Sequence, residues 1–230
     1  MNTKNKFAIQ PSVICCDLCN LETEVKALKK AGVQSLHIDV LDGAFSPSLP
    51  VGLDTFIQLS KKIDLPFDVH IMSNNNEWFI DECLKMKPER ICFQCEGEKH
   101  IEAMLSKIKA AGVKAGVAFA PSTPISQIGY AINDCDFVLL MRIEPGYASH
   151  KGIDAYSYMN QKVIDTRAIL DQGKKNRDIV IDGRVGFDVI EDLTKLGATC
   201  FVCGSKSIFI SKDYKKNVKE AKERYNKVLG

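Results

Sequence analysis

Eight times along the chain a short run of β-branched, aromatic and other apolar residues is followed by a longer stretch or loop, and this alternation restricts the fold more than any other feature. The strand-like runs are FAIQPSVI (7–14), SLHIDVL (35–41), PFDVHIM (66–72), RICFQC (90–95), VKAGVAF (113–119), FVLLMRI (137–143), DIVIDG (178–183) and TCFVCG (199–204). Between them stand amphipathic patterns such as LETEVKALKKAG and IEAMLSKIKAAG, each closing on a glycine where a helix C-terminus is expected, as KLGA does near residue 197. Strands that alternate with helices pair in parallel through crossover connections. Eight such units in 230 residues predict an α/β fold, the (β/α)8 TIM barrel, for which about 250 residues is typical. A doubly wound open sheet is the alternative, but the first strand lacks the GxGxxG turn with which that fold usually cradles a dinucleotide. No Pro/Gly/Ser-rich linker or block of like charge divides the chain, so one domain over residues 1–230 is expected.

Composition removes several classes of function. Lys and Arg number 31 against 29 Asp and Glu, a net charge of +2 with the signs interspersed. That balance gives no basic footprint for nucleic acid or an anionic membrane. The lysine-rich stretch SKDYKKNVKEAKERYNKVLG reads as an exposed helix whose acids are mixed among its bases. MNTKNKF lacks the apolar core of a signal peptide, and no apolar run approaches the roughly 18 residues of a membrane span. A cytoplasmic protein is the expectation. Its nine cysteines are then expected as reduced thiols. The CxxC pairs Cys92/Cys95 and Cys200/Cys203 lie in strand-like runs, where positions i and i+3 face opposite ways, so neither pair is expected to hold a structural zinc.

LHIDVLDGAF (36–45) departs from the apolar strand pattern. Strand alternation puts His37 and Asp39 on one face, with Leu36, Ile38 and Val40 on the other. Burying such groups without partners costs several kcal/mol. In a barrel, functional groups gather at the C-terminal ends of the strands. Ser12, His37, Asp39, His70 and Asp182 fall there, joined by turns beginning at Gly146, Gly183 and Gly204. In FDVHIM, Asp68 shares a face with His70 and reads as its carboxylate neighbour. His37, Asp39, His70 and Asp182 form a candidate set for one divalent metal ion, and imidazole with carboxylate suits Zn, Mn, Fe or Co rather than Ca. Two carboxylates arriving from opposite sides can also carry protons, each to one face of a flat substrate. Any one of these residues taken alone can be a satisfied buried polar group; four at corresponding positions favour a site. PGYAS and CGSKS offer backbone N–H groups to a phosphate, although each alone is also an ordinary turn. Asp42 is expected to order its loop through Asp-Gly turn chemistry.

With these residues in place, the chain resembles the ribulose-phosphate 3-epimerase family, which includes ribulose-5-phosphate and allulose-6-phosphate 3-epimerases. The likeness runs from about residue 9 to 210, through PSVICCDLCNLETEVKALKKAG, LHIDVLDGAF, LPFDVHIM, KAGVAFAPSTP, VLLMRIEPGYA, IVIDGRV and VCGSKSIF, in the family order and spacing. It implies a (β/α)8 barrel whose metal ligands are His37, Asp39, His70 and Asp182, with Asp39 and Asp182 also the acid/base pair. Substrate contacts implied are Ser12, His70, Met72 and Met141. The segment Gly146, Tyr147, Ala148, Ser149 and the pairs Gly183, Arg184 and Gly204, Ser205 would meet a phosphate. The implied activity is inversion of C3 in a small-molecule ketose phosphate, in a homo-oligomer, with no organic cofactor.

Departures from the family pattern concern the substrate. Ala44 and Gln94 stand where the family usually has His, Leu41 replaces a common Met, GYASHKG replaces a GFGGQ-type loop, and Arg184 replaces a second Gly after Asp182. Arg184 can grip a phosphate or carboxylate bidentately, reshape the pocket, or face solvent. Ribulose 5-phosphate is the default substrate. CCDL looks more like the allulose-phosphate branch and keeps a ketohexose 6-phosphate open. Two other functions are weighed: a non-catalytic or regulatory sugar-phosphate binder, which has no need of a proton carrier on each face, and a decarboxylase on a related barrel. The decarboxylases commonly carry an Asp-x-Lys-x-x-Asp run, and HIDVLDG has no lysine there.

Overall fold

The computed structural model describes residues 5–147, 156–173 and 176–230. Eight parallel strands appear in the expected order: β1 (Ile9–Pro11), β2 (Leu36–Leu41), β3 (Phe67–Met72), β4 (Arg90–Gln94), β5 (Lys114–Phe119), β6 (Phe137–Met141), β7 (Asp178–Asp182) and β8 (Cys200–Cys203). From β2 to β8 each pairs with the next, β8 pairs with β1, and an isolated bridge between Ser12 and His37 closes the ring between β1 and β2. The chain is a (β/α)8 TIM barrel. Closure satisfies the backbone polar groups that an open parallel sheet would leave at its edges.

The helices follow as α1 (Leu21–Lys30), α2 (Leu53–Ser60), α3 (Asn76–Leu84), α4 (Ile101–Ala110), α5 (Met159–Asp171), α6 (Phe187–Lys195) and α7 (Tyr214–Leu229). Between β5 and β6 no α-helix forms. Residues Ile125–Asp134 run in 3-10 turns broken at Gly129, where a glycine at φ 50° and ψ −126° interrupts helical propagation. Gly32, Gly112 and Gly197 end their helices at positive φ, as their positions in the sequence suggest. The first strand is shorter than FAIQPSVI: after Pro11 the chain leaves the sheet, and Val13–Cys15 form a 3-10 turn over the barrel mouth. Among the described residues no helix is long and apolar enough to cross a membrane.

Strand alternation divides the core in two. Outward residues such as Ile38, Val69, Ile91, Val117, Val138 and Ile179 are fully buried against helix residues including Val25, Leu28, Leu105 and Ile108. Each such aliphatic side chain contributes about 1.5–3 kcal/mol by leaving water. Inward residues form a second apolar cluster that includes Phe7, Phe137, Leu139, Met141, Val180 and Val202. The nine cysteines are all free thiols. In both CxxC pairs the first cysteine joins the inner cluster and the second the outer one, so neither pair converges on a metal.

Gly116 faces inward on β5 opposite Phe137 on β6. A Cβ built there would lie 2.6–2.8 Å from three atoms of the Phe137 ring, so the ring occupies the space that any other residue would need. Gly116→Val is expected to lower stability by about 1–3 kcal/mol through overpacking. The measurement is the urea midpoint at constant m-value; an unchanged midpoint would show that the ring gives way freely.

Candidate active site

The C-terminal ends of the strands surround a cavity of about 320 Å³. Asp39 from β2 and Asp182 from β7 line it, and His37 from β2 and His70 from β3 lie fully buried beneath. Parallel register sets His37 beside Asp68 and Asp39 beside His70, all four facing inward. One donor atom from each of His37, Asp39, His70 and Asp182 lies within 4.8 Å of every other. Asp39 Oδ1 is 3.3 Å from His37 Nε2 and 3.5 Å from His70 Nδ1, while His70 Nδ1 is 3.7 Å from Asp182 Oδ2. Donors around a Zn-sized cation stand roughly 3–4 Å apart when the bonds are about 2.0–2.2 Å.

The hydrogen-bond inventory points to the same place. His37 Nε2, Asp39 Oδ1 and His70 Nδ1 are buried and have no hydrogen-bond partner, although buried polar groups nearly always do. Two of these residues are anchored through their other atoms: Asp39 Oδ2 accepts from Ser12 Oγ at 2.7 Å, and His37 Nδ1 faces Asp68 Oδ2 at 3.2 Å. A divalent cation would satisfy all three orphans at once, so the residues present fit a metal ion. The field is arranged accordingly. Burial disfavours charge on His37, yet Asp39 and Asp68 push its imidazole up to about 10. Burial likewise opposes charge on His70, and Asp182 and Asp39 raise it nonetheless. The Asp39 carboxyl is held well below the usual carboxylate range, because His37 and His70 outweigh its burial. Such a site attracts positive charge.

Contrary to what its place in FDVHIM suggests, Asp68 is the partner of His37, not of His70, whose carboxylate neighbours are Asp39 and Asp182 from β2 and β7. Residues two apart on one strand share a face but stand a full pleat apart, whereas in-register neighbours on adjacent strands are side by side.

Ser12, Asp39, Met72, Met141 and Asp182 line the cavity, and so do Gly146, Gly183, Arg184, Gly204 and Ser205. His37 and His70 lie fully buried beneath them. Tyr147 is not a lining residue; its amide closes a turn on the Glu144 carbonyl. Ala148 and Ser149 lie outside the described residues. Asp42 orders its loop as expected: Oδ1 accepts from the amides of Ala44 and Phe45, and Oδ2 reaches across to the amide of Asn74. Gln94 does not line the cavity; its amide nitrogen is placed to donate to Glu96 and to the Ala118 carbonyl.

Three residues at the site escaped the sequence reading. Cys15 lines the cavity, and its thiol is pushed up to about 11 by burial and by the Asp39 and Asp182 carboxylates, which keeps it protonated. Lys206 lines it beside Ser205, a second cation near Arg184. Arg142 follows β6 and braces the turn after Asp182: its Nη1 donates to the Arg184 carbonyl at 2.8 Å and the Gly183 carbonyl at 3.3 Å. Arg184 has a φ of 54°, in the left-handed region that side chains disfavour, and this brace holds it there. The doubled cysteine and the Lys in CGSKS were visible signals; nothing in FVLLMRI marks its arginine.

If the four donors form one cation site, His37→Ala and His70→Ala should each weaken divalent-metal binding by more than the roughly 10–100-fold usual for losing only an outer partner. Calorimetric titration with zinc or cobalt, with circular dichroism as the folding control, measures this. Wild-type affinity in both variants would rule the site out.

The pattern of the Ribulose-phosphate 3 epimerase family matches residues 8–209. Ribulose-phosphate 3-epimerase of Bacillus subtilis (strain 168) is 32% identical over 213 residues, spanning 92% of this chain and 96% of that protein. Ribulose-phosphate 3-epimerase of Buchnera aphidicola subsp. Acyrthosiphon pisum is 33% identical over 221 residues, spanning 96% and 95%. Among solved structures, phosphoribosyl anthranilate isomerase from Thermus thermophilus superposes with a TM-score of 0.65 at 11% identity, covering 96% of this chain and 99% of that one, a likeness of fold alone. A barrel with this strand order, carrying its polar residues at these strand ends and matched over this length, belongs to the ribulose-phosphate 3-epimerase family.

Proposed function

We propose that the chain is a metal-dependent sugar-phosphate 3-epimerase that inverts C3 of a ketose phosphate by proton transfer between Asp39 and Asp182. The observation that carries this reading is the pairing of two cavity-lining carboxylates, from β2 and β7, with two buried imidazoles around three orphaned donor atoms. A purely structural cluster has no use for carboxylates open to a cavity.

In this mechanism Asp39 and Asp182 address opposite faces of C3. One carboxylate takes the C3 proton, leaving an enediolate, and the other, already protonated, delivers its proton to the far face. The C–H bond broken on one side is replaced by one on the other, so configuration inverts and no redox partner is needed. Ser12 fixes the rotamer of Asp39 through its hydrogen bond to Oδ2. Met72 and Met141 present apolar surface to the cavity, which excludes the water that would intercept a carbanion. A bound divalent ion, held by His37, Asp39, His70 and Asp182, would supply Lewis-acid stabilisation of the negative charge developing on the substrate oxygens. Arg184, Lys206 and the turns at Gly183 and Gly204 are suited to the phosphate, combining backbone N–H groups with two cations.

The relatives' names make ribulose 5-phosphate the first substrate to test. A ketohexose 6-phosphate is the second, on the likeness of CCDL to the allulose-phosphate branch. The test is incubation of the metal-loaded chain in deuterated water with ketopentose and ketohexose 5- and 6-phosphates, following C3 deuterium and epimer formation by NMR. One substrate should exchange. Asp39→Asn and Asp182→Asn should each lower the rate by roughly 10²–10⁴-fold while binding persists. Binding without exchange in the wild-type chain would favour the regulatory binder instead.

A further inference from the structure

Beneath the cavity the barrel interior holds charge that the proposed chemistry does not use. Arg90, on β4, is 1% exposed and the largest of the fully buried side chains. Its guanidinium lies between two rings, 4.0 Å from the centroid of Phe7 and 4.7 Å from that of Phe137. From there its fork points two ways. Nη1 donates to Asp178 Oδ2 at 3.2 Å, and Nη2 donates to Asp68 Oδ2 at 2.9 Å. Asp178 is anchored in turn, its Oδ1 accepting from Thr199 Oγ1 at 2.7 Å and from Asn5 Nδ2 at 3.1 Å. At the other end, Asp68 Oδ2 faces His37 Nδ1. A continuous chain of contacts therefore joins the N-terminal ends of β7 and β8 to the cavity floor.

Backbone register builds the central part of that chain. β2 and β3 pair His37 with Asp68, and β3 and β4 pair Asp68 with Arg90, so three adjacent strands present the three side chains on one level, all inward. Stability alone gives no reason for the arrangement. Taking a guanidinium out of water is costly, and apolar side chains of similar volume often serve a core as well or better. What the fork supplies is position. Asp68 Oδ1 has no hydrogen-bond partner, so Arg90 and His37 are what hold this carboxylate through its other oxygen. An imidazole at a metal site takes its orientation from the group at its second nitrogen.

We propose that Arg90 is a positioning residue: by fixing Asp68 it holds the His37 imidazole with Nε2 toward Asp39, His70 and Asp182, and thereby sets the affinity of that cluster for a divalent cation. The inference rests on the reading of the cluster as a cation site. Arg90 touches neither cavity nor cluster and acts only through Asp68.

The experiment is a cobalt(II) titration of the wild-type chain, Arg90→Lys, Arg90→Met and Ile108→Val, read by calorimetry and by the visible absorption of bound cobalt. Wild type should bind one ion. Arg90→Lys keeps the charge between the rings but loses the fork, and should bind about tenfold more weakly with a shifted cobalt spectrum. Arg90→Met should lose about 10–100-fold; should it fail to fold, Arg90→Lys carries the test. Ile108→Val, a core change outside the chain of contacts, should lower the melting temperature yet leave affinity and spectrum as in wild type. Wild-type binding matched within about twofold by folded Arg90 variants, spectrum unchanged, would overturn the role of Arg90 and leave the cation site standing. Absence of cobalt binding in the wild-type chain would overturn both.

Discussion

Hydrogen bonding between β2 and β3 pairs His37 with Asp68 and Asp39 with His70, and a slip of one residue in either strand would turn its polar pair outward onto the helices. The site depends on this register. It is held from both sides: the apolar faces of the two strands pack under the helix layer, and Asp42 ties the loop after β2 to the amide of Asn74 beyond β3. Register, here, is enforced by hydrophobic burial on one face so that chemistry can be placed on the other.

The interior then handles charge by alternation. Asp178, Arg90, Asp68, His37 and Asp39 follow one another through the barrel interior with opposite partners in contact. A single ionised group at this depth would be neutralised by burial. Asp68 escapes that fate: against the burial that would raise it, Arg90 and His37 lower its carboxyl to about 2. The cavity floor inherits that order, since its two imidazoles and two carboxylates leave their free atoms aimed at a common point.

Much of this was legible from residues alone, and the misses have physical causes. All eight strands could be found because β-branched runs bounded by Gly, Pro and Asp mark them strongly. Their ends could not: Ser12 and the 3-10 turn after it belong to the barrel mouth, where the requirement to reach Asp39 overrides the apolar character of Val13 and Ile14. Strand alternation and the family likeness together singled out His37, Asp39, His70 and Asp182, which the fold brings within reach of one another. The same alternation misassigned Asp68, because neighbours across strands are invisible until the register is known. Arg90 opens its strand, where an arginine ordinarily reads as the solvated end of a β-run. Only the packing of Phe7 and Phe137 shows that it is enclosed.

The buried arginine also bears on how such a barrel can change over generations. Its surroundings are mutually adjusted: Gly116 leaves room for the Phe137 ring, the ring covers the guanidinium, and the guanidinium neutralises two aspartates. Loss of any one charge strands another in the interior, whereas exchange of the whole set for apolar residues would be tolerated much better. Single-step routes away from the arrangement therefore pass through destabilised intermediates. A lumen of this kind is coupled in a way the rim is not: Cys15, Arg184 and Lys206 line the cavity mouth outside that set of buried ion pairs.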